Sequence, residues 1–373
     1  MALVLNDEQL MLRDAARHFL SEQAPVSQLR ELRDTGNEDG FSRELWSGMA
    51  EMGWTGILVP EEHGGLGYGF TGIGLILEEC GRTLTASPLH ASSLVGVAAL
   101  LLAGSSDQRS KLLPAVAAGE HLLALACDEG PIHDPLRVNC RAEADTGAWA
   151  INGSKTAVVD GHIADSLIVS ALTGGGVSLF LVPANTSGVT VNRVAVLDTH
   201  VMATVEFKQV QLGEEHLLGE KDSAQGTLDS ILDVARIGAA AEMLGLAQEA
   251  FERTVEYLKQ RKQFGVPIGS FQALQHRAAQ LFGEIELCKS LVLKSLHALD
   301  DGEDDLAELA SLTKAKTGET ARLATAEAIQ MHGGIGMTDD FDIGFFLKRY
   351  RILENLYGDS NFHLDRFARL RGY

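Results

Sequence analysis

After Pro267 the chain runs to Tyr373 without another proline. Proline removes a backbone donor and clashes with the turn before it, so its absence permits long unbroken helices here. The apolar spacing agrees. Leu244, Ala247, Phe251, Val255 and Leu258 fall on one helical face, and Leu274, Ala278, Leu281, Ile285, Cys288 and Val292 on another. The beginning of the chain also reads as helix. Asn6-Asp7-Glu8 is a cap followed by early acids, and Leu10, Leu12, Ala16, Phe19 and Leu20 follow at roughly helical spacing. Residues 73–80 and 91–102 are further apolar helix candidates, and Pro114 with Gly119 marks the last short one.

Between these regions the pattern changes. Short apolar runs at 122–127, 148–151, 167–171, 177–182 and 205–210 alternate with Asn152-Gly153, Gly174-Gly175-Gly176 and Ser187-Gly188. Asn-Gly between two apolar runs predicts a hairpin turn at 152–153. The expected architecture is mainly α with a β domain. It has an N-terminal helical domain over 1–118, a middle β-barrel-like domain over 119–217, and a C-terminal four-helix bundle over 218–373.

Composition narrows the function. Fifty-one Asp and Glu against 31 Lys and Arg give a formal charge of −20, which argues against a nucleic-acid partner. A local enrichment of Arg253, Lys259, Arg261 and Lys262 leaves room for a phosphate-bearing ligand. No apolar run reaches the roughly 20 residues of a membrane span. The acidic start does not read as a signal peptide. Four cysteines without a C-x-x-C pair indicate neither a zinc ribbon nor a redox motif and suit a reducing compartment, so a cytoplasmic location is expected.

Four separated segments carry a resemblance. VPEEHGGLGYG (59–69), WAINGSKTAVVDGHIADSLIVSA (149–171), YLKQRKQFGVPIGSFQALQHRAA (257–279) and AIQMHGGIGMT (328–338) together resemble the acyl-CoA dehydrogenases, in the family's order and over the whole chain. The resemblance implies FAD, an acyl-CoA thioester substrate, a dimer or tetramer, and electron transfer to an electron-transfer flavoprotein. A carboxylate would remove the α proton and a hydride would pass from the β carbon to the flavin. Hydrogen bonds to the thioester oxygen would stabilise the developing enolate.

The resemblance also assigns residues. Arg261 matches an arginine that contacts the FAD pyrophosphate of a neighbouring subunit, with Gln263 and Phe264 in the same motif; a guanidinium suits that role. The alternative for this motif is a basic helix end stopped by Gly265. Gln330 with Gly333 and Gly334 resembles the second FAD-contacting segment, or is a plain helix-ending turn. Gln272, Gln275 and Ser360 are further cofactor candidates. Arg236 matches an arginine of the substrate-facing helix and is the candidate for the CoA part, or it forms a structural ion pair. In the β domain, 127–131 stands where the family reads Thr-Glu-Pro, but Asp128 replaces the threonine and Gly130 the proline. Ala157 stands where an aromatic covers the flavin, and Val159 where a threonine reaches N5.

The family places its base at one of two positions, which here are Gly358 and Ala235. Neither takes a proton. Three readings follow. Glu242, seven residues beyond Ala235 among alanines, or Asp359, beside Gly358, acts instead. Alternatively the chain is one subunit of a heteromer whose paralogous partner supplies the base, as in relatives that handle steroid-like or branched acyl groups. In the third reading the fold serves oxidase or monooxygenase chemistry, or acts as a non-catalytic assembly subunit.

Overall fold

The structure is a computed structural model that describes residues 3–145 and 147–373. The chain forms two compact units: Met1–Glu31 with Gly74–Thr85 and Arg236–Tyr373, and Leu32–Ile73 with Ala86–Ala235. The N-terminal region carries α1 (Asp7–Gln23), α2 (Val26–Thr35), α3 (Arg43–Glu51), α4 (Phe70–Thr83), α5 (Val97–Ala103) and α6 (Ser106–Ala117). Then come β1 (Leu123–Ala126), β2 (Arg141–Asp145), β3 (Ala148–Val159), β4 (Ser166–Thr173), β5 (Gly176–Pro183), β6 (Val189–Ala195), β7 (Val201–Gly213) and β8 (Leu217–Leu218). The C-terminal region holds α7 (Gln225–Gln260), a two-stranded hairpin of β9 (Lys262–Gln263) and β10 (Val266–Pro267), α8 (Gln272–Asp301), α9 (Leu306–His332), α10 (Ile343–Asn355) and α11 (Ser360–Leu370). Helix, strand and helix thus follow in the expected order. None of the helices among the described residues is long and apolar enough to cross a membrane.

In the first unit α9 is central, with α8, α10 and α11 packed on it. Its inward residues are small: Ala310, Ala321, Ala324 and Ala328 are buried. The buried Thr317 and Thr325 hydroxyls donate to carbonyls one turn back, at 2.7 and 2.8 Å, so polar side chains are satisfied inside the core. The asparagine expected to start α1 does cap it: Asn6 accepts from the Gln9 N–H, and the Gln9 side chain answers to the Asn6 N–H.

The end of α4 crosses α7 at backbone contact. A Cβ on Gly81 would run into the Glu242 carbonyl oxygen, and one on Gly245 into that of Glu78. Neither obstacle is a side-chain tip that can swing away. Gly245→Ala is therefore expected to cost about 3 kcal/mol or more, read as a lowered midpoint of urea unfolding.

In the second unit the sheet runs β6-β7-β3-β2-β4-β5-β8, with β1 added parallel to β4. Trp149, Ile151, Phe180, Phe207 and Leu212 fill its core, and the Trp149 and Phe180 rings meet edge-on at 5.5 Å. The hairpin expected at Asn152-Gly153 is not there. Both residues lie inside β3, where the register against β7 shifts between Ile151 and Gly153. The pair forms a bulge: the Asn152 side chain accepts from the Gln209 N–H at 2.8 Å, and Gly153 lets the Cys140 backbone approach. A period-two reading cannot distinguish a bulge from a turn, since both want Gly at positive φ. All four cysteines are free and buried.

Candidate active site

The basic arm comes first. α7 ends where the Arg261 N–H makes its last helical bond, to Tyr257 O at 2.8 Å. The chain then doubles back, pairing Gln263 with Val266 and Lys262 with Pro267. The two turn residues, Phe264 and Gly265, have φ of +53° and +81°, the conformation of a tight two-residue hairpin. Positive φ disfavours phenylalanine, and Phe264 is 92% exposed, with the Phe271 ring edge-on to it at 6.1 Å. Arg261, Lys262 and Gln263 are exposed as well. Gln272 opens α8, whose N-terminus has no side-chain cap, and Gln275 donates to Gly269 O at 2.9 Å. A guanidinium, two amides and uncapped helix N–H groups form a donor set that fits a diphosphate.

The second segment lies against the root of that arm. Tyr257, one turn before Arg261, stacks on His332 with ring centroids 4.3 Å apart, and its hydroxyl donates to His332 O at 3.3 Å. Phe341 closes on the same imidazole at 4.9 Å. His332 Nδ1 donates to Ala328 O at 2.7 Å, and burial pushes its pKa down, which favours the neutral ring. This stack brings Gln330, Gly333 and Gly334 beside the arm. Gln330 and both glycines are exposed, and added Cβ atoms on Gly333 and Gly334 would meet nothing. Tyr257 and His332 were missed in the sequence because an aromatic stack across 75 residues leaves no periodic signal.

The two base candidates are both engaged. Glu242 is buried, and its Oε1 accepts from Arg349 Nε at 2.6 Å, with side chains 4% and 9% exposed. Asp359 caps α11, accepting from the Phe362 N–H at 2.8 Å. The Ser360 hydroxyl and N–H both donate to Glu354, at 2.6 and 2.9 Å.

The turn between α10 and α11 holds the Gly358 position. Tyr357 and Gly358 have φ of +58° and +106°. A Cβ on Gly358 would collide with the Phe362 ring and lie 3.0 Å from His363 Nε2. Two buried cations grip the turn. Arg236, 1% exposed, donates from Nε to Tyr357 O at 3.1 Å and lies 5.5 Å from the Phe362 ring centroid. Lys314, equally buried, donates to Glu354 O at 3.0 Å and Gly358 O at 3.1 Å. Burial pushes the Lys314 pKa down to about 8, opposed by Glu354 and reinforced by Arg236. Ala235, the other vacant position, passes its carbonyl to His90 Nε2 at 3.1 Å. His90 lies in the first turn of a fully buried π-helix, Leu89–Gly96.

In the β domain Lys155 is fully buried and donates to Glu129 at 2.7 Å, Ser170 at 2.9 Å and Cys127 O at 3.2 Å. Glu129 also accepts the N–H groups of Asn139 and Cys140, at 2.6 and 2.9 Å. Burial alone would raise its pKa; Lys155 and the Cys140 N–H hold it below the ordinary value instead. Asp128 is paired with His133 at 2.9 Å. Ala157 is exposed with φ of +51°. The loop is thus firmly built, but Ala157 and Val159 offer neither an aromatic face nor a hydroxyl.

Helical, β and helical segments follow in this order, and a basic arm is joined to a Gly-Gly helix end. Family models for the N-terminal, middle and C-terminal domains of acyl-CoA dehydrogenase match residues 6–120, 130–210 and 226–370. The chain is 32% identical over 373 residues to an acyl-CoA dehydrogenase of Bacillus subtilis (strain 168), covering 96% of both. It is 30% identical over 371 residues to a 3-(aryl)acrylate reductase of Clostridium sporogenes (strain ATCC 15579), covering 96% of this chain and 97% of the other. Among solved structures, a variant of the Tcur3481-Tcur3483 steroid ACAD matches with TM-score 0.90 and 31% identity, over 98% of both chains. Butyryl-CoA dehydrogenase from Megasphaera elsdenii matches with TM-score 0.92 and 25% identity, over the whole of both. The chain belongs to the acyl-CoA dehydrogenase family.

Proposed function

We propose that this chain is the flavin-gripping subunit of a heteromeric, FAD-dependent acyl-CoA dehydrogenase, and that a paralogous partner chain supplies the carboxylate base. The observation that carries this reading is the backbone at Gly358. A position that had simply lost its carboxylate would still have room for a side chain. Here the conformation is left-handed and the space of a Cβ is taken by Phe362. The pairing of Glu242 with Arg349 and the capping role of Asp359 add support, since neither carboxylate stands ready to accept a carbon-bound proton.

The two halves of the cofactor machinery have diverged. The C-terminal half keeps Arg261, Gln263, Phe264, Gln272, Gln275, Gln330, Gly333 and Gly334 around a diphosphate-compatible donor set. The exposure of Phe264 and Arg261 suits contact with a ligand held largely by a neighbouring chain. The β-domain half offers an Asp128–His133 pair, Ala157 and Val159 where relatives contact the flavin ring. Bound FAD would supply the hydride-accepting chemistry, and electrons would leave for an electron-transfer flavoprotein. The likeness to a steroid ACAD supports a bulky acyl group over a short straight one.

Expression of the chain alone tests the reading. It is expected to purify without visible flavin absorbance and to acquire it only when a paralogue with an intact base is co-expressed. Yellow protein that bleaches on addition of an acyl-CoA, with no second chain present, would refute the proposal.

A further inference from the structure

The bonds of the basic arm are local. The Ile268 N–H donates to Arg261 O at 2.8 Å and closes the hairpin on itself. The Gln263, Ser270 and Gln275 side chains donate to the carbonyls of Lys262, Pro267 and Gly269. A hairpin of two residue pairs with exposed side chains does not hold a direction unaided. Its direction is set at its root, by Tyr257. The Tyr257 carbonyl takes the Arg261 N–H, while the ring of the same residue stacks on His332. Phe341 borders both rings, its centroid 4.9 Å from the imidazole and 6.4 Å from the phenol. Three flat side chains thus meet from the end of α7, the end of α9 and the segment before α10. The imidazole is fixed within its own helix: Nδ1 donates to Ala328 O, and Nε2 is occluded with no partner among the described residues. His332 therefore meets α7 through its ring face and its own carbonyl, which accepts from the Tyr257 hydroxyl.

We propose that Tyr257 and His332 are positioning residues, whose stack locks the Arg261 arm to the Gly333-Gly334 helix end so that both close together on one diphosphate-bearing ligand. The inference rests on the reading that this half of the chain grips FAD, and it adds the device that holds the grip. The stack lies one helical turn from Arg261 and one peptide from Gly333, near enough to aim both. It does not reach the ligand itself, since His332 is only 3% exposed. Donor sets on separately moving segments must each be ordered when a ligand binds. Joined through one stack, they are ordered before it arrives, and that cost falls on folding instead of binding.

Hydrogen exchange of the full chain, read by mass spectrometry over residues 257–271, tests this with neither flavin nor partner present. His332→Leu is expected to speed exchange of the arm about tenfold, by local opening, with α8 and the middle of α9 protected as before. His332→Phe keeps a flat ring against Tyr257 and is expected to restore slow exchange. In the assembled protein His332→Leu should lower flavin retention about tenfold. Adding Arg261→Gln to it should then cost less than Arg261→Gln costs alone, because the two act on one contact. A merely structural ring would loosen the whole bundle and leave the two effects additive. Unchanged arm exchange in His332→Leu, loosening spread evenly over the bundle, no recovery in His332→Phe, or a loosened arm with undiminished flavin retention would overturn the inference. If His332→Leu does not fold, Tyr257→Leu poses the same question from α7. A lone chain that purifies yellow and is bleached by an acyl-CoA would strike at the heteromer reading and leave the exchange result standing, so the two failures are distinguishable.

Discussion

Arg349→Met is expected to destabilise the C-terminal helices by about 3–5 kcal/mol, because it leaves the Glu242 carboxylate buried without its cation. The pair is short, at 2.6 Å, and both side chains are almost wholly out of water. Replacing both partners at once, Glu242→Leu with Arg349→Met, should recover most of the loss, since the desolvation cost of the ion pair disappears with it. Denaturant unfolding of the three variants measures this directly. The same series decides what Glu242 is for. A structural carboxylate shows its loss in the unfolding midpoint, whereas a base shows it in turnover with the midpoint nearly unmoved. A Glu242→Gln variant with wild-type stability and strongly reduced turnover would return Glu242 to the base role.

Arg261→Gln is expected to have the opposite signature. The residue is exposed and tied to the rest of the chain mainly through its backbone, so folding stability should change by less than about 0.5 kcal/mol. Flavin retention in the assembled protein should fall roughly ten- to a hundredfold, the range for a charge-assisted phosphate contact. Dilution of the assembly with flavin fluorescence as the readout gives the number. Retention equal to that of the unaltered protein would mean the arm does not touch the diphosphate.

These two residues show where the sequence was informative. Arg261 belongs to a continuous motif, and a local pattern with glycine at the turn can be read without knowing what surrounds it. The order of helical and β regions was legible for the same reason, since period and proline placement are local properties. Arg349 and Lys314 were invisible. Their meaning lies in partners far along the chain, Glu242 for one and the carbonyls of Glu354 and Gly358 for the other. Gly358 is an intermediate case. Its departure from the family pattern was plain, but only the backbone angle and the nearness of Phe362 distinguish a designed turn from a deleted side chain. Asn152-Gly153 misled because its chemistry suits any site of positive φ, and the β3–β7 register decided which one it became.

The projecting hairpin also bears on how long an unassembled chain survives. It presents two consecutive basic residues, Arg261 and Lys262, beside a solvent-facing aromatic ring, on a stalk only two residue pairs long. Trypsin-like proteases favour such bonds, and quality-control factors favour such rings. A companion that covered the arm would shield both. If the chain assembles with a paralogue as proposed, the unassembled copies would be the ones open to cleavage at the arm.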